Sequence, residues 1–323
     1  MKVLKVDSIF DKKDTCIECA LKTGINYWKI NNSLLYAGSF NFEYQVEERG
    51  KNYFGNIIST NKQELGKYLK YEGLCLRRIT CDHYFEIANI ISNEIKDERP
   101  VAIFIDSYYC PWNEAYHKYH FQHYCLVIGI DKENQQYLCR DTYITGDIVT
   151  LPFYELEQGF KECICFEMSE KSEISGIKMD LFKDIVRYAE KTQNSHKMTD
   201  RIRIFGRDII ENINTVYEEV DYYDNPKFSN LLVELSFISW AREKFADMFE
   251  YLKNNDMNDK FYNTLIPLVR SDATYWASLR GLLFKQIILR KSFNEEEFLG
   301  LVDRIAQSED KILEIIATEC KQG

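Results

Sequence analysis

With five prolines and 14 glycines in 323 residues, the chain excludes collagen-like and linker-dominated architectures, and 45% hydrophobic with 14% aromatic residues excludes generic disorder. Long apolar runs are missing too. The longest, 101–105 and 125–130, fall far short of the roughly 20 residues that a membrane-spanning helix needs. Residues 1–10 pass into Asp11-Lys-Lys-Asp14 without the apolar core of a secretory signal, which predicts a soluble, cytoplasmic protein with no membrane partner. Positive charge is in deficit, with 41 Lys and Arg against 51 Asp and Glu and a net charge of −10, so no nucleic-acid partner is expected. Ten cysteines are too sparse for a disulfide scaffold and read mostly as small buried hydrophobes. Phosphate-cradling motifs are absent.

What is present falls into two parts, with the polar stretch 167–176 as the boundary. Residues 1–170 mix periods. Residues 15–30 carry Ile17, Ala20, Leu21, Ile25 and Trp28 at three- and four-residue steps behind Asp14 or Thr15 as N-cap, which predicts a helix. Strands are expected at 101–106, 124–130 and 136–140, the last two forming a hairpin through 131–134, then a short helix at 153–160 and a strand at 163–168. This part is α+β, a helix laid on a mostly antiparallel sheet. Residues 171–323 are helical in period throughout. Met198, Ile202, Phe205, Ile209, Ile213, Val216 and Val220 form one apolar stripe, 231–252, 261–289 and 298–316 carry others, and Ser292 or Asn294 starts the last helix ahead of three glutamates. An all-α domain of four or five helices follows from this, and its stripes can be buried internally or against a second copy in a homodimer.

Chemistry begins at Cys16, in the first turn of the first predicted helix. Free backbone N–H groups and the helix dipole there favour the thiolate, the form that attacks carbonyl carbon, whereas Glu18 in the same turn opposes it. A basic partner is needed, and His123 stands at the mouth of a predicted strand. The hairpin returns Asp141 close to His123, where it would orient the ring. A Cys16, His123, Asp141 set follows, as nucleophile, base and orienter in that chain order. A zinc or redox site can be drawn on the same segments, because Cys16-Ile-Glu-Cys19 is a C-x-x-C and His117, His120 and His123 recur every third residue.

Asp14-Thr-Cys-Ile-Glu-Cys-Ala-Leu21, Ile105-Asp-Ser-Tyr-Tyr-Cys-Pro-Trp112, His123-Tyr-Cys-Leu-Val-Ile-Gly-Ile-Asp131 and Asp141-Thr-Tyr143 resemble the N-terminal domain of the butirosin biosynthesis acyltransferase family. Leu151-Pro-Phe-Tyr-Glu-Leu-Glu-Gln-Gly-Phe160 resembles the short helix that follows the Asp in that family. The likeness covers roughly residues 5–170. Such proteins are similar to papain-like cysteine peptidases and bacteriocin-processing peptidases, and to amide synthases of thiotemplated pathways such as closthioamide assembly. The resemblance implies a papain-like fold, followed by a helical domain, and thioester chemistry. By that resemblance Cys16 would take an acyl or peptidyl group from the phosphopantetheine thioester of a carrier protein and pass it to a small amine, making an amide in antibiotic biosynthesis. His123 would act as base and then acid, with Asp141 fixing its tautomer. No cofactor resident in the chain and no metal is implied, since the phosphopantetheine belongs to the donor. One departure stands out: the peptidases carry a Gln six residues before the Cys as an oxyanion donor, and here that position is Phe10.

Tyr108, Tyr109, Trp112, Tyr116, Tyr119 and Phe121 crowd the approach to His123, either as an acyl pocket or as ordinary packing. Arg77 and Arg78, with Arg270, Arg280, Lys285, Arg290 and Lys291, are candidates for docking an acidic carrier, or else lie on solvated faces. Two other functions remain open beside acyl transfer: a cysteine peptidase or amidase on the same fold, and a non-catalytic metal or small-molecule binder.

Overall fold

The computed structural model describes residues 2–60, 65–172, 177–191, 196–223, 225–255, 259–290 and 294–322. In chain order they form β1 (Lys2–Val3), α1 (Cys16–Tyr27), β2 (Glu43–Tyr44), α2 (Phe54–Ile57), β3 (Ile58–Ser59), β4 (Leu74–Thr80), α3 (Tyr84–Lys96), β5 (Val101–Asp106), β6 (Gln122–Asp131), β7 (Gln136–Arg140), β8 (Ile148–Pro152), α4 (Phe153–Gly159) and β9 (Phe160–Met168). Six helices follow among the described residues: α5 (Ile177–Glu190), α6 (Met198–Glu211), α7 (Ile213–Asp221), α8 (Asn230–Lys253), α9 (Asp259–Leu289) and α10 (Glu295–Gln322). The chain is α+β, with its C-terminal part all helical. Among the described residues no helix is long and apolar enough to cross a membrane.

Two compact units divide the chain: Met1–Asn32 with Leu69–Ser172, and Ser33–Tyr68 with Glu173–Gly323. The expected division at 170 lies close to the last junction, between 172 and 173, but assigns residues 33–68 to the first part. Their side chains explain the difference. Phe40 stacks on Phe245 at 5.0 Å, Phe42 lies against Phe205 and Trp276, and Tyr44 and Phe54 meet Phe205, so these aromatics complete the core of the helical unit.

In the first unit the sheet runs β4-β9-β5-β6-β7-β8, with β1 paired to β6, and every pairing is antiparallel. Strand β6 is central and its residues 123–128 are buried, as its continuous apolar run requires. Helix α1 packs on β6 and β5. Gly24 permits the close approach, since a Cβ there would lie 2.1 Å from the Phe166 ring of β9. Strand β4, helix α3 and strand β8 add to the elements expected from sequence. Helix α3 turns Ile87, Ile91 and Ile95 inward at four-residue steps.

In the second unit the stripe of α6 is buried at Met198, Ile202, Phe205 and Ile209. Asn294 caps α10 by accepting the Glu297 N–H, and Ser292 lies outside the described residues. Arg242 is fully buried, donates to Glu309 at 2.7 Å and to the Asn41 carbonyl at 2.7 Å, and lies 3.8 Å from Asp272. Burial and the adjacent Glu309 raise the pKa of Asp272 far above the carboxylate range, so one of the two acids stays neutral and the arginine answers the other.

Candidate active site

Helix α1 begins at Cys16 because Thr15 and Glu18 close a capping box: the Glu18 carboxylate accepts the Thr15 N–H at 2.6 Å, and Thr15 Oγ1 accepts the Glu18 N–H at 3.4 Å. Thr15 is therefore the N-cap, and Asp14 instead pairs with Lys22 at 2.7 Å. The capping box holds the Glu18 carboxylate in the turn that bears Cys16, so the thiolate depends on His123 rather than on the helix end alone. The Cys16 thiol is partly exposed and its Sγ lies 3.9 Å from the Gln122 carbonyl oxygen, one residue before His123.

The hairpin of β6 and β7 brings the other two residues together. Pairing runs from Asp131 with Gln136 to Gly129 with Leu138, then shifts by one residue, so that Val127 pairs with Cys139 and Leu126 with Arg140. Carried one step further, this register sets Asp141 opposite Cys125, on the same face as His123. Without the bulge Asp141 would oppose Leu126 and point to the other side of the sheet. The extra residue aims the carboxylate at the ring.

His123 Nε2–H donates to Asp141 Oδ2 at 2.7 Å, with both side chains buried. Trp112 Nε1–H donates to the same oxygen at 2.6 Å, and the Ile144 N–H reaches Oδ1 at 3.3 Å. Burial works against a charged His123, but hydrogen bonds to Asp141 and Cys16, with the charges of both, outweigh it and raise its pKa to about 10. Since Nε2 faces Asp141, Nδ1 is the nitrogen left for Cys16. Asp141 and Cys16 thus both act on the His123 imidazole.

The zinc or redox grouping is not assembled. His120 pairs with Asp106 at 2.8 Å, His117 stacks on Tyr116 at 3.9 Å, and Cys19 is buried, its thiol pKa pushed up to about 12 by burial and then by Asp14. Among the described residues the group of donors close enough to share an ion is Cys110, His123 and Asp141, whose ligand atoms lie within 4.8 Å of one another. Sequence reasoning passed over Cys110. It is fully buried, and burial together with Asp141 pushes its thiol pKa well up, so it is held as the neutral thiol. Asp141 Oδ2 already accepts two N–H donors, which suits a carboxylate that orients a ring better than one that ligates a cation. The signal for Cys110 and Trp112 lay in the Cys-Pro-Trp run, which follows β5 and so returns to the neighbouring strand β6.

No family model matches this chain, and no curated protein does. The site therefore stands on its own geometry.

The aromatic run is mostly engaged in packing: Tyr108 stacks on His120 at 4.4 Å, Tyr116 donates to Glu155, and Tyr109 lies against Gly159. The candidate docking cations are largely paired as well. In the first unit Arg77 pairs with Glu167 and Arg78 with Glu162. In the second, Arg270 pairs with Asp247, Arg290 with Asp221, and Arg280 donates to the Leu232 carbonyl at 2.8 Å; Lys285 is exposed and Lys291 lies outside the described residues.

Proposed function

We propose that the chain is a cysteine-dependent acyltransferase of papain-like design, taking an acyl group from a thioester onto Cys16 and passing it to an amine. One observation carries this reading: a buried imidazole held between Asp141 and Cys16, with its pKa raised to about 10. The order Cys, His, Asp along the chain, and a helix start packed against a sheet strand that bears the His, support the papain-like design. In this reading His123 accepts the Cys16 proton at Nδ1 while Nε2–H stays on Asp141. The thiolate attacks the donor carbonyl carbon, a tetrahedral oxyanion forms, and its collapse expels the donor thiolate, which takes the proton from His123. The neutral imidazole then removes a proton from the acceptor amine as nitrogen attacks the acyl-enzyme, and returns it to Cys16 sulfur as the amide leaves. The proposed donor is a phosphopantetheine thioester on a carrier protein, and the proposed setting is cytoplasmic antibiotic-type biosynthesis, with no cofactor resident in the chain.

The test is intact-protein mass after brief exposure to S-acyl-N-acetylcysteamine thioesters, for wild type, Cys16→Ala and Cys110→Ala. The expected result is an acyl adduct lost in Cys16→Ala, kept in Cys110→Ala, and discharged faster by added amines than by water. Discharge by water alone would point to a hydrolase. Absence of any adduct together with stoichiometric zinc lost in Cys110→Ala would replace acyl transfer with a metal centre.

A further inference from the structure

Attack on a thioester carbonyl puts negative charge on its oxygen, and preorganised donors to that oxygen supply one of the largest contributions to the rate. The Cys16 backbone N–H, at the free end of α1, is one such donor. A second is expected close to Cys16, and the neighbouring side chains narrow the choice. Phe10 offers no hydrogen-bonding group and is 61% exposed. Thr15 is committed to the helix cap and Trp112 N–H to Asp141. Gln122 adjoins His123 on the strand, so its side chain points to the opposite face.

Tyr143 remains. Thr23 of α1 ties two segments together, accepting the Ile9 N–H at 3.4 Å and meeting Thr142 Oγ1 at 3.3 Å, while Ser8 Oγ donates to the Gly146 carbonyl at 3.4 Å. The loop after Asp141 therefore runs beside the segment that leads to Cys16. Tyr143 leaves this loop with its ring centroid 6.3 Å from that of His123, and 41% of the residue is exposed, so the ring covers the site without closing it. Burial raises the phenol pKa, and of the charges that raise it further Cys16 comes first, ahead of Cys19 and Asp141. The hydroxyl is thus a neutral donor, carried on a ring that stands beside His123.

Resting on the acyl-transfer reading, we propose that the Tyr143 hydroxyl is the second donor to the oxyanion that forms when Cys16 attacks the thioester carbonyl. The carbonyl π pair moves onto oxygen as the carbon–sulfur bond to Cys16 forms; the phenol O–H and the Cys16 N–H hold that charge, and neither gives up its proton. On collapse the carbonyl re-forms and the donor thiolate departs with the proton from His123.

Two reagents separate this role from a positional one. Acylation by S-octanoyl-N-acetylcysteamine passes through an oxyanion, whereas alkylation by iodoacetamide displaces iodide at carbon and forms none; both need the thiolate. Tyr143→Phe keeps the ring and removes the hydroxyl. The expected outcome is an acylation rate lowered about 100-fold, the scale of a lost oxyanion donor, with the alkylation rate within about twofold of wild type. Tyr154→Phe, at an exposed position of α4, should change neither rate. Equal loss with both reagents would assign Tyr143 to holding the thiolate, and no loss with either would remove it from the reaction; each result overturns the proposal. Wild-type protein alkylated at Cys16 yet not acylated by the thioester would instead reject the acyl-transfer reading, and this inference with it.

Discussion

His123 and Asp141 meet at 2.7 Å across a hairpin whose register changes by one residue between Val127 and Gly129. The bulge decides the face on which Asp141 lies, and so ties a backbone irregularity to the electrostatics of the ring. A carboxylate on the other face would leave the buried imidazole without the partner that holds its proton.

That proton sets a pH dependence. In the unfolded chain His123 titrates near its ordinary 6.5, and in the folded protein near 10. Between those values the folded state binds the proton and the unfolded state does not, so stability from this group is full below pH 6.5 and is lost as pH rises through about 10. The difference in unfolding free energy between wild type and His123→Gln, followed by urea denaturation, should therefore decline from pH 6 to pH 10. A difference that grows over this range would contradict the raised value.

Trp112 should matter through its N–H more than its bulk. Trp112→Phe keeps most of the ring and leaves Asp141 Oδ2 with one donor instead of two. A hydrogen bond to a charged group contributes about 1.5–3 kcal/mol, and urea denaturation should show a loss on that scale. With one donor gone, Asp141 is held less firmly against the ring, and Cys16 alkylation at pH 6 should slow as well. Unchanged alkylation would confine the indole to a structural role.

Much of this was legible from residue order. The α1 stripe, the β6 run and the turn before Gln136 predicted a helix on an antiparallel hairpin sheet, and they set Cys16, His123 and Asp141 near one another. The bulge was not legible, because hydrophobic alternation along β6 reads the same with or without one extra residue. Cys110 was missed for a different reason: its mark, the Cys-Pro-Trp run after β5, points to the neighbouring strand only once the pairing of β5 with β6 is known. Residues 33–68 belong with the helical unit through Phe40, Phe42 and Tyr44. Their alternation is visible in the sequence, but the surface they pack against lies more than 150 residues away along the chain.

Gly24 tests whether the seat of α1 controls the nucleophile. A methyl group there would sit 2.1 Å from the buried Phe166 ring, so Gly24→Ala forces the helix away from β9 or the ring out of its place. Overpacking of this kind costs about 1–3 kcal/mol, offset in part by the better helix propensity of alanine. Cys16 rides on the same helix, two turns earlier, and its attack on a carbonyl depends on sub-ångström placement against His123. Gly24→Ala should therefore lower both the urea midpoint and the Cys16 alkylation rate, and Phe166→Leu in the same chain should restore part of each by vacating the space that the methyl enters. Recovery of stability without recovery of alkylation would show that the helix seat and the thiol geometry are independent.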